Sequence, residues 1–168
     1  MHIEPLSHQT LDEAINLVNK VFPHQRLFER ASIGFRGSLA KNSWLYIILF
    51  YLAVIGEANY WIAIDNDCKK VIGTTGLYST RKDEREAYWL GWTCVEPACR
   101  GQGIGSKLVD FAIEKARGAG KQFLRLYTST NPSQATAQIL YEKRGFRITG
   151  EEKLRGTEFK IIYRELKL

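Results

Sequence analysis

Hydrophobic positions in this chain recur with two different periods, and the switches between them mark out its elements. His2 to Leu6 reads as a short strand, interrupted near Pro5. Leu11, Ile15, Leu17, Val18, Val21 and Phe22 then recur at helical spacing. Thr10 and Glu13 are spaced as a capping box at the start of that helix, and Pro23 ends it. Gln25 to Arg36 predicts a second helix, with Leu27, Phe28, Ala31 and Ile33 as its apolar content and Gly34 and Gly37 weakening its end. From Trp44 to Ile55 the chain is apolar without a break. Trp44, Ile47, Ile48, Tyr51, Leu52 and Ile55 would share one helical stripe, but the opposite face is apolar as well. A helix apolar all round is buried in the core or faces a partner. Core is the simpler expectation here; a dimer contact or the wall of an acceptor pocket is the sharper one.

The second half alternates strands and helices. Asn59 to Ile64 and Lys70 to Tyr78 flank the turn signal Asp65-Asn66-Asp67 and predict a hairpin. A charged loop, Arg81 to Glu86, leads to an aromatic-rich strand, Ala87 to Val95. Alternation along that strand places Trp89 with Thr93 on one face and Tyr88 with Trp92 on the other. Ile104 to Arg117 is amphipathic, with Ile104, Leu108, Phe111, Ala112 and Ala116 on one side. Phe123 to Thr128 is a strand. Asn131 and Pro132 then have the types favoured at the cap and first position of a helix, which ends at Gly145. Phe146 to Thr149 and Glu158 to Leu166 close the chain as strands. Strands with helices inserted between them predict an α/β or α+β fold with a mixed sheet. At 168 residues one domain, spanning 1–168, is expected.

Composition narrows the function classes only a little. Lys plus Arg is 24 against 18 for Asp plus Glu, a formal net charge of +6. The excess suits an acidic ligand, but no basic cluster points to nucleic acid. The apolar run of 12 residues is shorter than the roughly 20 a membrane span needs, so no membrane partner is expected. The N-terminus has no basic segment followed by an apolar one. Cys68, Cys94 and Cys99 are odd in number and lack metal-ligand spacing, which predicts free thiols, no metal and a cytoplasmic location.

The chemistry concentrates between the aromatic strand and the helix that follows. Gly101, Gly103 and Gly105 occupy alternate positions there. Glycine lets backbone N–H groups turn inward, and a helix start adds free N–H donors and the positive end of a dipole. Such a loop can cradle a phosphate. Neither the P-loop spacing nor the dinucleotide fingerprint fits. The pattern present is Arg100-x-x-Gly103-x-Gly105 after a strand ending Val95-x-Pro97. Downstream stands Ala137-x-x-Leu140-Tyr141-Glu142-Lys143-x-Gly145-Phe146.

These two blocks resemble the acyl-CoA loop and the second recurring block of the GNAT superfamily of N-acetyltransferases. The resemblance covers Ala87 to Phe146. It implies a central mixed, mostly antiparallel sheet flanked by helices and splayed open at the acyl-CoA site. It implies acetyl-CoA as co-substrate and an amine acceptor, whether small molecule, peptide N-terminus or lysine. The backbone of Arg100, Gly101, Gln102, Gly103, Ile104, Gly105 and Ser106 would take the pyrophosphate. Thr93, Cys94 and Val95 would pair with the pantetheine arm, one of their N–H groups polarising the thioester carbonyl. Tyr141 matches the family's general acid. Either Asn131 or Gln134 would contact CoA, since Gln134 occupies the family's asparagine position. Trp89 stands where some members carry a glutamate base, which leaves Glu86, then Glu84, or a chain of waters. A homodimer is a candidate assembly; a non-catalytic acyl-CoA-binding module and a toxin-like acetyltransferase of aminoacyl-tRNA are the alternatives to this function.

Overall fold

The computed structural model describes residues 1–23, 25, 30–40, 43–52 and 54–168. Among the described residues seven strands join one sheet: β1 (His2–Pro5), β2 (Ile55–Ile64), β3 (Val71–Thr80), β4 (Ala87–Val95), β5 (Phe123–Ser129), β6 (Arg147–Lys153) and β7 (Lys160–Lys167). Their order is β1-β2-β3-β4-β5-β7-β6. Every pair is antiparallel except β4 with β5. The expected mixed, mostly antiparallel sheet is therefore present. β2 and β6 begin or end several residues beyond the alternation seen in the sequence, because pairing with a neighbouring strand extends them past their apolar positions.

Two helical layers cover the sheet. On one face α1 (Leu11–Val21) and α2 (Ala31–Leu39) bury Ala14, Leu17, Val18 and Phe35 against Ile62 and Tyr60. On the other face α4 (Ile104–Gly118) buries Leu108, Val109, Ala112 and Ala116 over β3, β4 and β5. α5 (Ala135–Lys143) adds Tyr141 to that layer. The remaining helix, α3 (Trp44–Leu52), has no buried residue. The expectation that the run from Trp44 is core fails there, and Ile55 belongs to β2 instead.

Other local expectations are corrected by long-range contacts. The capping box at α1 does not form. Thr10 Oγ1 accepts the Ser7 N–H at 3.2 Å, and Glu13 Oε2 accepts the Val71 N–H at 3.1 Å. Glu13 thus ties the helix to the sheet rather than to its own first turn. α2 runs on through Gly34 and Gly37, which the sequence marks as its weak end. A Cβ there would meet the Tyr60 hydroxyl at 2.9 Å and the Phe50 ring at 2.3 Å, so both glycines are packing positions. Leu27, Phe28, His24 and Ala53 lie outside the described residues.

Candidate active site

β4 and β5 pair only at Ala87 with Phe123, Tyr88 with Leu124 and Trp89 with Arg125. Past Trp89 the two strands separate, and the splay lies between their C-terminal halves. A bulge in β4 reshapes the strand at the same place. Thr74 pairs with Cys94 and Gly76 with Gly91, so Trp92 and Thr93 together face Thr75. Trp92 adopts a positive φ of 33°, an uncommon geometry for a bulky residue. The Thr74 hydroxyl donates to its carbonyl at 2.6 Å, and the Thr75 and Thr93 hydroxyls bond at 2.9 Å. The bulge breaks strict alternation. Trp92 packs on Phe22 at 5.6 Å, on the α1 side where Trp89 stacks on Tyr78, while Tyr88 faces the α4 side. The predicted pairing of Trp89 with Thr93 and Tyr88 with Trp92 is therefore wrong.

The bulge also determines which backbone groups face the gap. Glu96 N–H donates to Ile72 O at 2.9 Å, toward β3. Alternation from Glu96 turns Val95 the other way, toward the splay, and Cys94 back toward β3. The Arg100 Nε–H bond to Val95 O, at 3.3 Å, agrees with that orientation. Cys94 is buried, and desolvation pushes its thiol up to about 11 despite the Thr74 hydrogen bond and the Arg100 charge. A thiol so held stays protonated and is a poor nucleophile at neutral pH.

The glycine loop closes the same end of β4. Arg100, Gly101, Gln102 and Gly103 are exposed, and Gly103 caps α4 in the left-handed region. Arg100 N–H bonds Pro97 O, and the first helical bond of α4 is Lys107 N–H to Gly103 O. Between them, the N–H groups of Gly101 to Ser106 find no acceptor among the described residues. Six backbone donors therefore stand without a protein acceptor at a helix N-terminus, where anions are favoured. Gly101 and Gly103 have φ of +78° and +77°, and an added Cβ would meet nothing within 4 Å. Their requirement is conformational rather than steric. Gly103→Ala is expected to cost about 1–2 kcal/mol of stability, while Gly105→Ala, whose Cβ would sit 3.7 Å from Val95, leaves it nearly unchanged. Thermal melts of the two variants check this.

Tyr141 enters from α5. Its ring is buried, edge-on to Phe146 at 5.6 Å, and its hydroxyl makes no hydrogen bond with the described residues. Burial raises the phenol to about 12, with a smaller contribution from the neighbouring Cys94 thiol. Arg164, 2% exposed on β7, holds Glu142 at 2.8 Å and so fastens the turn that carries Tyr141 to the sheet. In the loop after β5, Asn131 Oδ1 accepts the Ser133 N–H and Gln134 Oε1 the Ser129 N–H, both at 2.9 Å. Both side chains shape that loop, and the NH2 group of each makes no hydrogen bond to the described residues.

Glu86 lies elsewhere. It precedes β4, at the end opposite the glycine loop, and its carboxylate holds Arg125 at 2.8 Å. Arg125 also grips Asp83 at 2.6 Å and Glu165 at 2.7 Å. Asp83 in turn accepts the Trp89 indole N–H at 2.9 Å and the Thr80 hydroxyl. Burial alone would raise the Asp83 carboxyl, but these hydrogen bonds and the Arg125 charge outweigh it and hold it below its usual value. Arg125 sits opposite Trp89, at the last paired position before the strands part. The cluster therefore pins the apex of the splay. Nothing in the local sequence marks Asp83, Arg125 or Arg164, because isolated charges in loops and strands resemble solvated ones until their partners are known.

The open donor loop, the splayed parallel pair and the buried tyrosine together define a class. A family model described as the acetyltransferase (GNAT) domain matches residues 56–148, more than half of the chain and both motif blocks, and the chain belongs to that family. It is 30% identical over 98 residues to the peptidyl-lysine N-acetyltransferase YjaB of Salmonella typhimurium. That match covers 58% of this chain and 57% of the relative, so little more than half of the relative's length is represented. A GNAT family acetyltransferase from Elizabethkingia anophelis, solved with acetyl-CoA bound, shares the fold at a TM-score of 0.64 and 23% identity over 99% of this chain and 97% of that one. The NatC complex bound to Gag peptide and CoA matches at a TM-score of 0.74 and 21% identity, over 99% and 98% of the two chains.

Proposed function

We propose that this protein is an acetyl-CoA-dependent N-acetyltransferase in which a primary amine attacks the thioester directly. The observation that carries the reading is the row of unpartnered N–H groups from Gly101 to Ser106, set where β4 parts from β5. Those donors receive the pyrophosphate, with Arg100 beside them. The Thr93 and Val95 backbone offers the pantetheine amides a strand edge. An N–H on that edge stabilises the oxyanion as the amine nitrogen bonds to the carbonyl carbon, a contribution of about 3 kcal/mol per donor. The C–S bond then breaks, and the Tyr141 phenol gives its proton to the departing thiolate. The proton lost by the amine leaves through water. Glu86 has no part in this step, because Arg125 holds it at the far end of β4.

The Salmonella relative is named for peptidyl-lysine, and a lysine ε-amine in a peptide is the acceptor we propose to test first. Purified protein, acetyl-CoA and a panel of lysine peptides, peptide N-termini and small amines are expected to release free thiol with at least one acceptor. No thiol release across the panel together with no CoA binding by calorimetry would end this reading. The pH dependence gives a further check. Tyr141 must be protonated to act, and its raised pKa keeps it so until the pH approaches about 12. The rate, corrected for thioester hydrolysis, is expected to rise as the amine deprotonates and to show no falling limb up to about pH 10. A falling limb near pH 8 would point to a different acid.

A further inference from the structure

Helix α3 is where the fold departs from ordinary solution chemistry. All nine of its residues are apolar, and Trp44, Ile47, Ile48, Tyr51 and Leu52 are between 46% and 73% exposed. Among the described residues its inner side is engaged, chiefly through Phe50 seated against Gly37 of α2. Contiguous apolar surface of this kind marks an interaction site.

The charges around it say what covers it. The loop from β3 to β4 packs beside α3: Arg81 N–H bonds Val54 O, and the Arg81 guanidinium lies 3.7 Å over the Tyr51 ring. Lys82 and Arg85 in the same loop are exposed. Lys121 reaches the loop from the other side, bonding the Glu84 carbonyl. Of the loop's acids, Asp83 and Glu86 are taken by Arg125, which leaves Glu84, with Glu57 at the start of β2, as the exposed acids beside Arg81, Lys82, Arg85 and Lys121. The apolar helix therefore has a basic border. A second copy packed isologously on this patch would bring like charges together. A lipid surface with anionic headgroups satisfies both features. The aromatic and aliphatic side chains enter the headgroup–acyl boundary, where Trp and Tyr are favoured, and the cations pair with the headgroups.

We propose that α3 and the basic β3–β4 loop form a peripheral docking surface for anionic phospholipid membranes. The helix lies in the plane of the surface and does not cross it: a span needs roughly 20 residues, and no described helix is long and apolar enough. The orientation leaves the glycine loop free. The β3–β4 loop and the glycine loop stand at opposite ends of β4, roughly 30 Å apart at about 3.3 Å per residue.

Vesicle sedimentation with the full chain tests this. Binding is expected to vesicles of phosphatidylcholine with phosphatidylserine, and to be weaker on phosphatidylcholine alone and in high salt. Ile48→Glu with Leu52→Glu is expected to lower the partition coefficient by about tenfold or more. Arg81→Glu with Lys82→Glu is expected to remove the preference for phosphatidylserine. Circular dichroism and CoA titration show whether each variant is folded. No binding to phosphatidylserine vesicles overturns the proposal. So does binding that both folded variants retain, or a wild-type dimer that Ile48→Glu with Leu52→Glu dissolves while vesicles are ignored.

Discussion

Tyr141→Phe is expected to lower kcat by roughly 10²–10⁴-fold, the usual worth of a positioned general acid, while leaving CoA affinity within about twofold. The reasoning starts from burial. The ring is 6% exposed and packed on Phe146, so phenylalanine fills the same space without a cavity. What disappears is one hydroxyl with no hydrogen-bond partner among the described residues. Its loss leaves no protein donor or acceptor newly unsatisfied, and stability is expected to hold. The departing CoA thiolate then has to take its proton from water. Single-turnover rates and a CoA titration on the same preparation separate the two effects. A kcat within about threefold of wild type would show that solvent protonates the thiolate and that Tyr141 is a packing residue.

Arg125→Leu carries the largest expected effect on stability, a loss of about 3–5 kcal/mol. The guanidinium is the shared partner of Asp83, Glu86 and Glu165. Glu86 is half exposed and can turn to water, but Asp83 is 9% exposed and cannot. Without Arg125 it must be protonated or keep an uncompensated charge. Urea denaturation measures the loss, and pairing Arg125→Leu with Asp83→Asn is expected to restore part of it, since the stranded charge goes too. The pH dependence follows in sign. The folded Asp83 carboxyl lies below its unfolded value of about 4, so its stabilisation is present above that pH and is lost as the pH falls through the folded value. In Arg125→Leu that acid-side loss is expected to shrink. A destabilisation under 1 kcal/mol would show that the cluster is a solvated surface network.

The same pair of residues explains what could be seen beforehand. The glycine loop, the strand ahead of it and the tyrosine block behind it were legible because their chemistry is local. Positive φ at Gly101 and Gly103, free N–H groups at a helix start and a tyrosine inside an amphipathic turn all depend on neighbours a few residues away. The amphipathic helices and most strands were legible for the same reason. Glu86 was singled out by closeness along the chain to the motif, yet a strand of nine residues carries it to the opposite end of the sheet, into the hands of Arg125.

The amino-acid sequence by itself determined one half of this protein: the family, the mixed sheet and the glycine loop at the start of a helix. Tertiary structure decided the rest. It decided that Trp92 changes face, because the β4 bulge adds a residue that alternation does not count. It decided that Gly34 and Gly37 lie inside a helix, because Tyr60 and Phe50 need the room. And it decided that the most apolar stretch of the chain lies on the outside. Hydropathy records how strongly side chains avoid water, while which of them can be covered depends on surfaces that exist only once the chain has folded.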